Sequence, residues 1–467
     1  MQPFEIILYL LSLITVAIMV MKKTMKPIYA YILLGAVTTV LVMHVIAEES
    51  RWQLYPLYGA LLILAFILLF HAVKSDRMTK RFCRRSIITM AFLIIISGLS
   101  TWIFPMESLP EPTGDYLIGT QSFVLEDDTR YDVYGDDPSE HRRIKIQLWY
   151  PAETTECYDR VPWLEDGVMV ARGLSKDIGL PFFALDHTAD IMSHSYLGAP
   201  IRHETDPYPV IILSHGWRGF RNLHTDFAED LASQGYIVVG IDHTHGSVAT
   251  VFGEDDIAYV NPEALPDRES NPDFLEDAHL LVNTYKGDII ATLDYLETIN
   301  DPDTPSFFSG TMNLSHVGLL GHSTGGGADV AAALEDNRIG AVLGLDAWVE
   351  PLQETAINRG LTMPSLFIRS GAWETGFNND HLISLIENSD TSDLYQIDGT
   401  THYDFTMVYM YSPLTGIINF TGDVDEHDLT PMLRTIIADF FDGVLKNDTD
   451  GDIDADMWDE VQRIPTG

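Results

Sequence analysis

The sequence predicts an α/β fold, a mostly parallel sheet with helices on both faces, preceded by four membrane-spanning helices. Three observations predict it. Four apolar runs, each near the roughly 20 residues a helix needs to cross a bilayer core, occupy residues 1–105. Beyond them, short apolar strands alternate with helical stretches, the pattern of a parallel sheet covered on both faces. A Gly-x-Ser-x-Gly turn then joins one of these strands to a Gly/Ala-rich helix.

The apolar runs are 4–21, 27–47, 54–73 and 87–104, and none carries the polar face that a soluble helix shows to water. The first loop between them holds Lys22, Lys23 and Lys26; the second holds two Glu and one Arg. The third holds Lys74, Arg77, Lys80, Arg81, Arg84 and Arg85 against one Asp. Basic loops stay in the cytoplasm, so the N-terminus and everything after the fourth span are expected outside the cytoplasmic membrane. Lys22 and Lys23 follow the first run where a signal peptide would carry small residues, so that run is a span rather than a leader. His44 and His71, near run ends, are expected to snorkel to the interface.

Charge divides the chain at the same place. The net charge is -40, yet residues 1–105 hold 10 Lys/Arg and 4 Asp/Glu, while 106–467 hold 18 and 64. The two parts are therefore +6 and -46. Such acidity excludes a phosphate-binding footprint, so nucleic acid is not an expected partner. With four lysines after residue 105, the acidic part suits a surface kept soluble in high salt. Two cysteines, Cys83 and Cys157, exclude a disulfide scaffold and a four-thiolate metal site.

In the acidic part, 144–150 alternates and stops at Pro151, which predicts a strand. The run 210–213 enters Ser214-His215-Gly216, and 222–234 has helical spacing up to Gly235. Strands are predicted at 236–241, 317–320, 341–345, 365–368 and 394–397, and helices at 288–299, 326–334 and 431–445. The long connections 163–207 and 254–275 are expected to be insertions over a site. Asp448, Asp450, Asp452, Asp454 and Asp456 alternate like a calcium loop, but Lys446 and Met457 fall where an EF-hand needs carboxylates. The expected division is a membrane anchor over 1–105, a catalytic domain over 106–446 and an acidic tail over 447–467.

Chemistry concentrates at a few turns. Gly321-His322-Ser323-Thr324-Gly325 sits between a strand and a helix, the setting of a nucleophile elbow with Ser323 at its apex. A serine hydroxyl needs a base. His402 follows the last predicted strand in a turn, whereas His381 falls in a predicted helix and His427 in an acidic loop. Two carboxylates, Asp346 and Glu374, follow successive strands, and either can orient the imidazole. Oxyanion donors are expected at the backbone N–H of Thr324 and of Trp217, in the loop Ser214-His215-Gly216-Trp217. His243 and His245 fall on opposite sides of an extended segment and make a poor metal pair.

Taken in order, Leu109-Pro110-x-Pro112-Thr113-Gly114, Trp149-Tyr150-Pro151-Ala152, Leu213-Ser214-His215-Gly216, Gly321-His322-Ser323-Thr324-Gly325-Gly326, Leu345-Asp346-Ala347-Trp348 and Gly399-Thr400-Thr401-His402-Tyr403-Asp404-Phe405 resemble the platelet-activating-factor acetylhydrolase family, isoform II type. That family belongs to the α/β-hydrolase fold, close to dienelactone-hydrolase-like proteins. The likeness spans roughly 109–445, and the four preceding helices resemble a bacterial membrane-attached subgroup. The resemblance implies Asp346 as the acid and Trp217 and Thr324 as oxyanion donors. It implies a cofactor-free serine carboxylic-ester hydrolase acting on short-acyl or acetylated lipid-type esters. The rival readings are a broad carboxylesterase or polyester hydrolase, a non-catalytic membrane sensor on a hydrolase scaffold, and a transporter built from the helices.

Overall fold

The computed structural model describes residues 2–21, 26–48, 50–73, 80–446 and 457–466. Four helices come first: α1 (Pro3–Met21), α2 (Pro27–Ala47), α3 (Tyr55–Val73) and α4 (Lys80–Ile103). Each is long and apolar enough to cross a membrane. The expected loop cations Lys22, Lys23, Lys74 and Arg77 lie outside the described residues, as do the alternating aspartates 448–456 and the side chain of His71. His44 does not snorkel. It is buried between helices, with Nδ1 2.8 Å from Glu48 Oε2 and Nε2 2.6 Å from the Tyr58 hydroxyl. Nearby, Glu5 pairs with Arg51 through two hydrogen bonds of 2.9 and 2.7 Å. A buried polar atom needs a partner, and two acidic side chains beside His44 and Arg51 supply it more cheaply than a path to the surface.

The remaining strands are β1 (Leu117–Tyr131), β2 (His141–Ala152), β3 (Arg160–Pro162), β4 (Met192–Leu197), β5 (Tyr208–Ser214), β6 (Ile237–Asp242), β7 (Ala249–Gly253) and β8 (Asp256–Tyr259). After them come β9 (Met312–His322), β10 (Ile339–Leu345), β11 (Ser365–Ser370), β12 (Ser392–Ile397) and β13 (Val461–Arg463). Among the described residues eleven form one sheet, in the order β13-β12-β11-β10-β9-β5-β6-β2-β1-β4-β3, and β7 and β8 form a separate hairpin. From β12 to β6 every neighbouring pair is parallel.

Helices α5 (Val168–Asp177), α6 (Thr225–Ser233), α7 (Phe274–Asn300) and α8 (Thr324–Ala333) are followed by α9 (Glu354–Arg359), α10 (Phe377–Glu387), α11 (Leu414–Ile417) and α12 (Glu426–Phe441). Apolar residues of α7 to α10 cover one face of the sheet, and those of α6 and α12 cover the other. This explains why the central parallel strands carry apolar runs. Val210 and Ile212 of β5 face the first core while Ile211 and Leu213 face the second, a period of two with water on neither side. The insertion helix α5, Trp163, Leu185 and the segment Met407–Tyr411 form a third core that also takes in Phe104, just past α4.

Two helix boundaries differ from the sequence reading. Helix α7 begins at Phe274, well before 288, because Gly287 is not a breaker here: a Cβ on it would stand 2.2 Å from Arg130 Nη1, so the glycine makes room for that guanidinium. His427 lies in the first turn of α12 rather than in a loop. The Asp425 carboxylate caps that turn, accepting from His427 N at 2.9 Å, so the helix starts ahead of Pro431.

Register sets up the site. Ser214 pairs with Gly321 across β5 and β9, and Leu345 pairs with His322 across β10 and β9. The residues that follow these three strands, His215, Ser323 and Asp346, therefore emerge side by side at the carboxyl edge of the sheet, where open α/β sheets bind ligands.

Candidate active site

Ser323 alone joins β9 to α8, at φ 56° and ψ -121°. A non-glycine residue held there stores on the order of 1–3 kcal/mol. The surroundings enforce it: Ser323 N donates to Leu345 O at 3.0 Å, and Ser323 O accepts from Trp348 N at 2.8 Å and from Gly327 N at 3.1 Å. The hydroxyl thus stands above the amino end of α8, where the helix dipole favours negative charge.

His402 Nδ1 lies 3.0 Å from Asp346 Oδ2. Asp346 is buried and also accepts from Ser370, whose N lies 2.7 Å from Oδ1 and whose Oγ lies 2.7 Å from Oδ2. An acceptor at Nδ1 places the proton on that nitrogen and leaves Nε2 with the free lone pair. The ring is held on both faces. Trp373 stacks on it at 4.3 Å with planes 1° apart, and the His322 ring lies 4.5 Å away. His322 Nε2 donates to His402 O at 2.9 Å. Burial, and then nearby His402, hold the His322 imidazole well below its ordinary value, so it is a neutral brace. Glu374 is exposed, 3.4 Å from Gln396, and does not touch the imidazole.

The 216–217 peptide abuts the serine: a Cβ on Gly216 would stand 2.9 Å from Ser323 Cβ and 3.4 Å from its Oγ. Its plane is fixed from the far side. Gly216 O accepts from His215 Nδ1 at 2.7 Å and from Gly219 N at 2.9 Å. The N–H of a trans peptide points opposite to its C=O, so the Trp217 N–H is turned away from both donors. Among the described residues neither the Trp217 nor the Thr324 amide has a protein acceptor. His215 in turn accepts at Nε2 from Ser247 Oγ, 2.8 Å away. Burial and the neighbouring His243 keep its pKa well below the usual value, so it stays neutral. His243 stacks on Tyr285 at 3.8 Å and bonds Asp288, while His245 bonds the Tyr259 carbonyl, so the two diverge.

Ser370, Trp373, His322 and Ser247 escaped the sequence reading. Their roles depend on contacts between strands and loops far apart in the chain, and no local spacing marks them. For metals, Asp425, Glu426 and His427 bring ligand atoms within 4.8 Å of one another, but all three are exposed and the cap of α12 accounts for the grouping.

Residues 102–463 match the family description of platelet-activating factor acetylhydrolase, isoform II. The chain belongs to that family. The dog (Canis lupus familiaris) platelet-activating factor acetylhydrolase is 22% identical over 377 residues, 76% of this chain and 80% of the dog protein. A probable 1-alkyl-2-acetylglycerophosphocholine esterase of Arthroderma benhamiae is 23% identical, over 62% of this chain and 72% of that one. The solved ferulic acid esterase of Streptomyces cinnamoneus superposes with a TM-score of 0.63 at 22% identity, covering 77% of this chain and all of that one, and shares the fold. This isoform II acetylhydrolase relative is thus an ester hydrolase of α/β-hydrolase architecture, with four helices able to cross a membrane ahead of the sheet.

Proposed function

We propose that the chain is a membrane-held serine esterase acting on short-acyl or acetylated lipid-type esters. The observation that carries this reading is the 3.0 Å contact of His402 with Asp346 beside the strained elbow of Ser323. Ser323 Oγ attacks the ester carbonyl while His402 Nε2 takes its proton. Asp346 holds the imidazole in the required tautomer and stabilises its cation. The Trp217 and Thr324 N–H groups receive the oxyanion. The proton passes to the departing alcohol, and water repeats the cycle on the acyl-enzyme.

Residues 1–105 act as anchor, 106–446 as catalytic domain and 447–467 as acidic tail, with the catalytic domain on the outer face of the cytoplasmic membrane. Supporting this, the α2–α3 connection touches the catalytic domain: Trp52 Nε1 donates to Ala184 O at 3.1 Å, and its ring lies 5.3 Å from Phe183. The deciding test is a rate panel on 1-alkyl-2-acetyl-glycerophosphocholine, p-nitrophenyl acetate and polyester film. Preference for the acetyl lipid supports the reading. Preference for the nitrophenyl ester or polyester makes the enzyme a broad carboxylesterase.

A further inference from the structure

Asp329 is a buried acid that the ester chemistry above does not use. It sits in the second turn of α8, out of water, among alanines, glycines and a valine. Its Oδ1 accepts from Ser214 Oγ at 2.8 Å. Ser214 ends β5, just ahead of the loop that carries Trp217, and α8 opens on Thr324. The bond therefore joins the two elements that bear the proposed oxyanion donors. Among the described residues it is the one hydrogen bond between β5 and α8. Resting on the esterase reading just given, we infer that Asp329 is a positioning residue: through Ser214 it holds the Trp217 and Thr324 N–H groups at the spacing that one oxyanion requires.

The surroundings leave room for the carboxyl. Gly321 pairs with Ser214 across β9 and β5, and a Cβ on it would stand 2.3 Å from Asp329 Oδ2. Any side chain there would push the acid out of the gap between the strand ends. At the start of the same helix, a Cβ on Gly325 would stand 2.2 Å from Ser214 O, so α8 presses directly on the end of β5. Such packing is non-directional and lets a helix slide. A hydrogen bond, with its angular requirement, does not.

The burial shows what the acid is for. Ser214 is the one side-chain partner of Asp329 among the described residues, no cation pairs with it, and Oδ2 has no partner. Burial pushes its pKa well above the usual carboxylate value, so the group is a neutral acid. A buried polar group with half its capacity unmet is costlier than an alanine or valine filling the same space. What the acid supplies, and they cannot, is the acceptor for Ser214. An oxyanion hole needs both donors about 2.7–3.1 Å from one oxygen, so a small slip of α8 along β5 weakens both bonds at once.

The test uses the full chain in neutral detergent, with Ser214→Ala, Asp329→Ala, Asp329→Asn and the double variant Ser214→Ala/Asp329→Ala. Each is assayed on p-nitrophenyl acetate and against an aryl trifluoromethyl ketone. The Ser323 oxygen adds to the ketone carbon, its proton goes to His402 Nε2, and the ketone oxygen takes the negative charge onto the two N–H groups. Ser214→Ala and Asp329→Ala are each expected to lower kcat about tenfold with KM unchanged and to weaken ketone inhibition about tenfold, less than the roughly 10²–10³-fold cost of a donor removed outright. The double variant is expected to lose no more than either single one. Asn offers the same acceptor oxygen without an ionisable proton, so Asp329→Asn is expected to recover most of the loss. A merely structural role would lower the thermal midpoint and leave ketone inhibition as in wild type, and that result overturns the inference. So do losses that multiply in the double variant, or an Asp329→Asn as impaired as Asp329→Ala. If Asp329→Ala does not fold, Ser214→Ala, which removes a single hydroxyl, and Asp329→Asn carry the comparison. An active wild type whose variants match it overturns the positioning role alone. A wild type inert on the ester and unaffected by the ketone overturns the esterase reading, and the role with it.

Discussion

Asp346 accepts three hydrogen bonds, two of them from Ser370, and this arrangement sets how the proposed acid responds to change. Asp346→Asn keeps the shape but offers the imidazole a donor or a weaker acceptor, and is expected to lower kcat by about 10⁴-fold. Ser370→Ala removes the Oγ bond and keeps the backbone one, so kcat is expected to fall roughly tenfold with KM unchanged. Steady-state kinetics on p-nitrophenyl acetate checks both. Ser247→Ala acts on the other side of the serine. It removes the shorter of two bonds to His215 Nε2, leaving the His243 N–H at 3.3 Å, loosens the plane of the 216–217 peptide, and is expected to lower kcat by about tenfold, short of the roughly 10²–10³-fold cost of a lost oxyanion donor. If kcat stays within twofold, the brace is not what aims Trp217. The positions of Ser323, Asp346 and His402, the proposed reacting set, were legible because glycine-bounded turns and strand ends are local signals. Asp346 could be separated from Glu374 only by family likeness, since both follow strands; the difference lies in which carboxylate the β10–β11 neighbourhood turns toward the imidazole.

At the scale of elements, the parallel strands were legible because burial on both faces leaves a run of apolar residues with no polar interruption. Strand β1 was not. It lies toward the sheet's flank beside β2 and β4, and eleven of its fifteen residues stay at least partly in water, with Glu126, Asp127 and Asp128 near its end. Helix α6 carries the clearest energetic anomaly. Asp226 is buried on it, and burial pushes its pKa up to about 6 despite the pull of Arg434; Asp230 is the nearby like charge. A carboxyl whose pKa is higher folded than unfolded binds more protons when folded, so its contribution is most favourable below about pH 4 and declines as pH rises through 6. Asp226→Asn is therefore expected to raise the thermal midpoint at pH 7.5 and to leave it nearly unchanged at pH 4. A midpoint gain of equal size at both pH values would show that ionisation is not the source.

Across the whole molecule, composition exposed the four apolar helices and the acidic part, but not how the two meet. That contact is made by side chains distant in sequence: Trp52, Phe104, Phe183 and His187. His187 is buried there, and burial, with Arg51 adding to it, lowers its pKa to about 4. Its folded pKa is below the unfolded one, so its share of stability is complete above about pH 6.5 and is lost as pH falls toward 4. Limited proteolysis of the segment 181–190 is expected to quicken between pH 6.5 and 4, and a rate flat across that window contradicts a neutral His187 at the contact. The -46 charge of residues 106–467 adds a salt dependence: the thermal midpoint should rise from low to molar salt as self-repulsion is screened.

Covalent capture tests the central claim most directly. Full-length protein in detergent, treated with a fluorophosphonate probe, is expected to label stoichiometrically at Ser323 and to lose p-nitrophenyl acetate hydrolysis in step, while folded Ser323→Ala neither labels nor turns over. Labelling at another serine, or undiminished hydrolysis by Ser323→Ala, would contradict it.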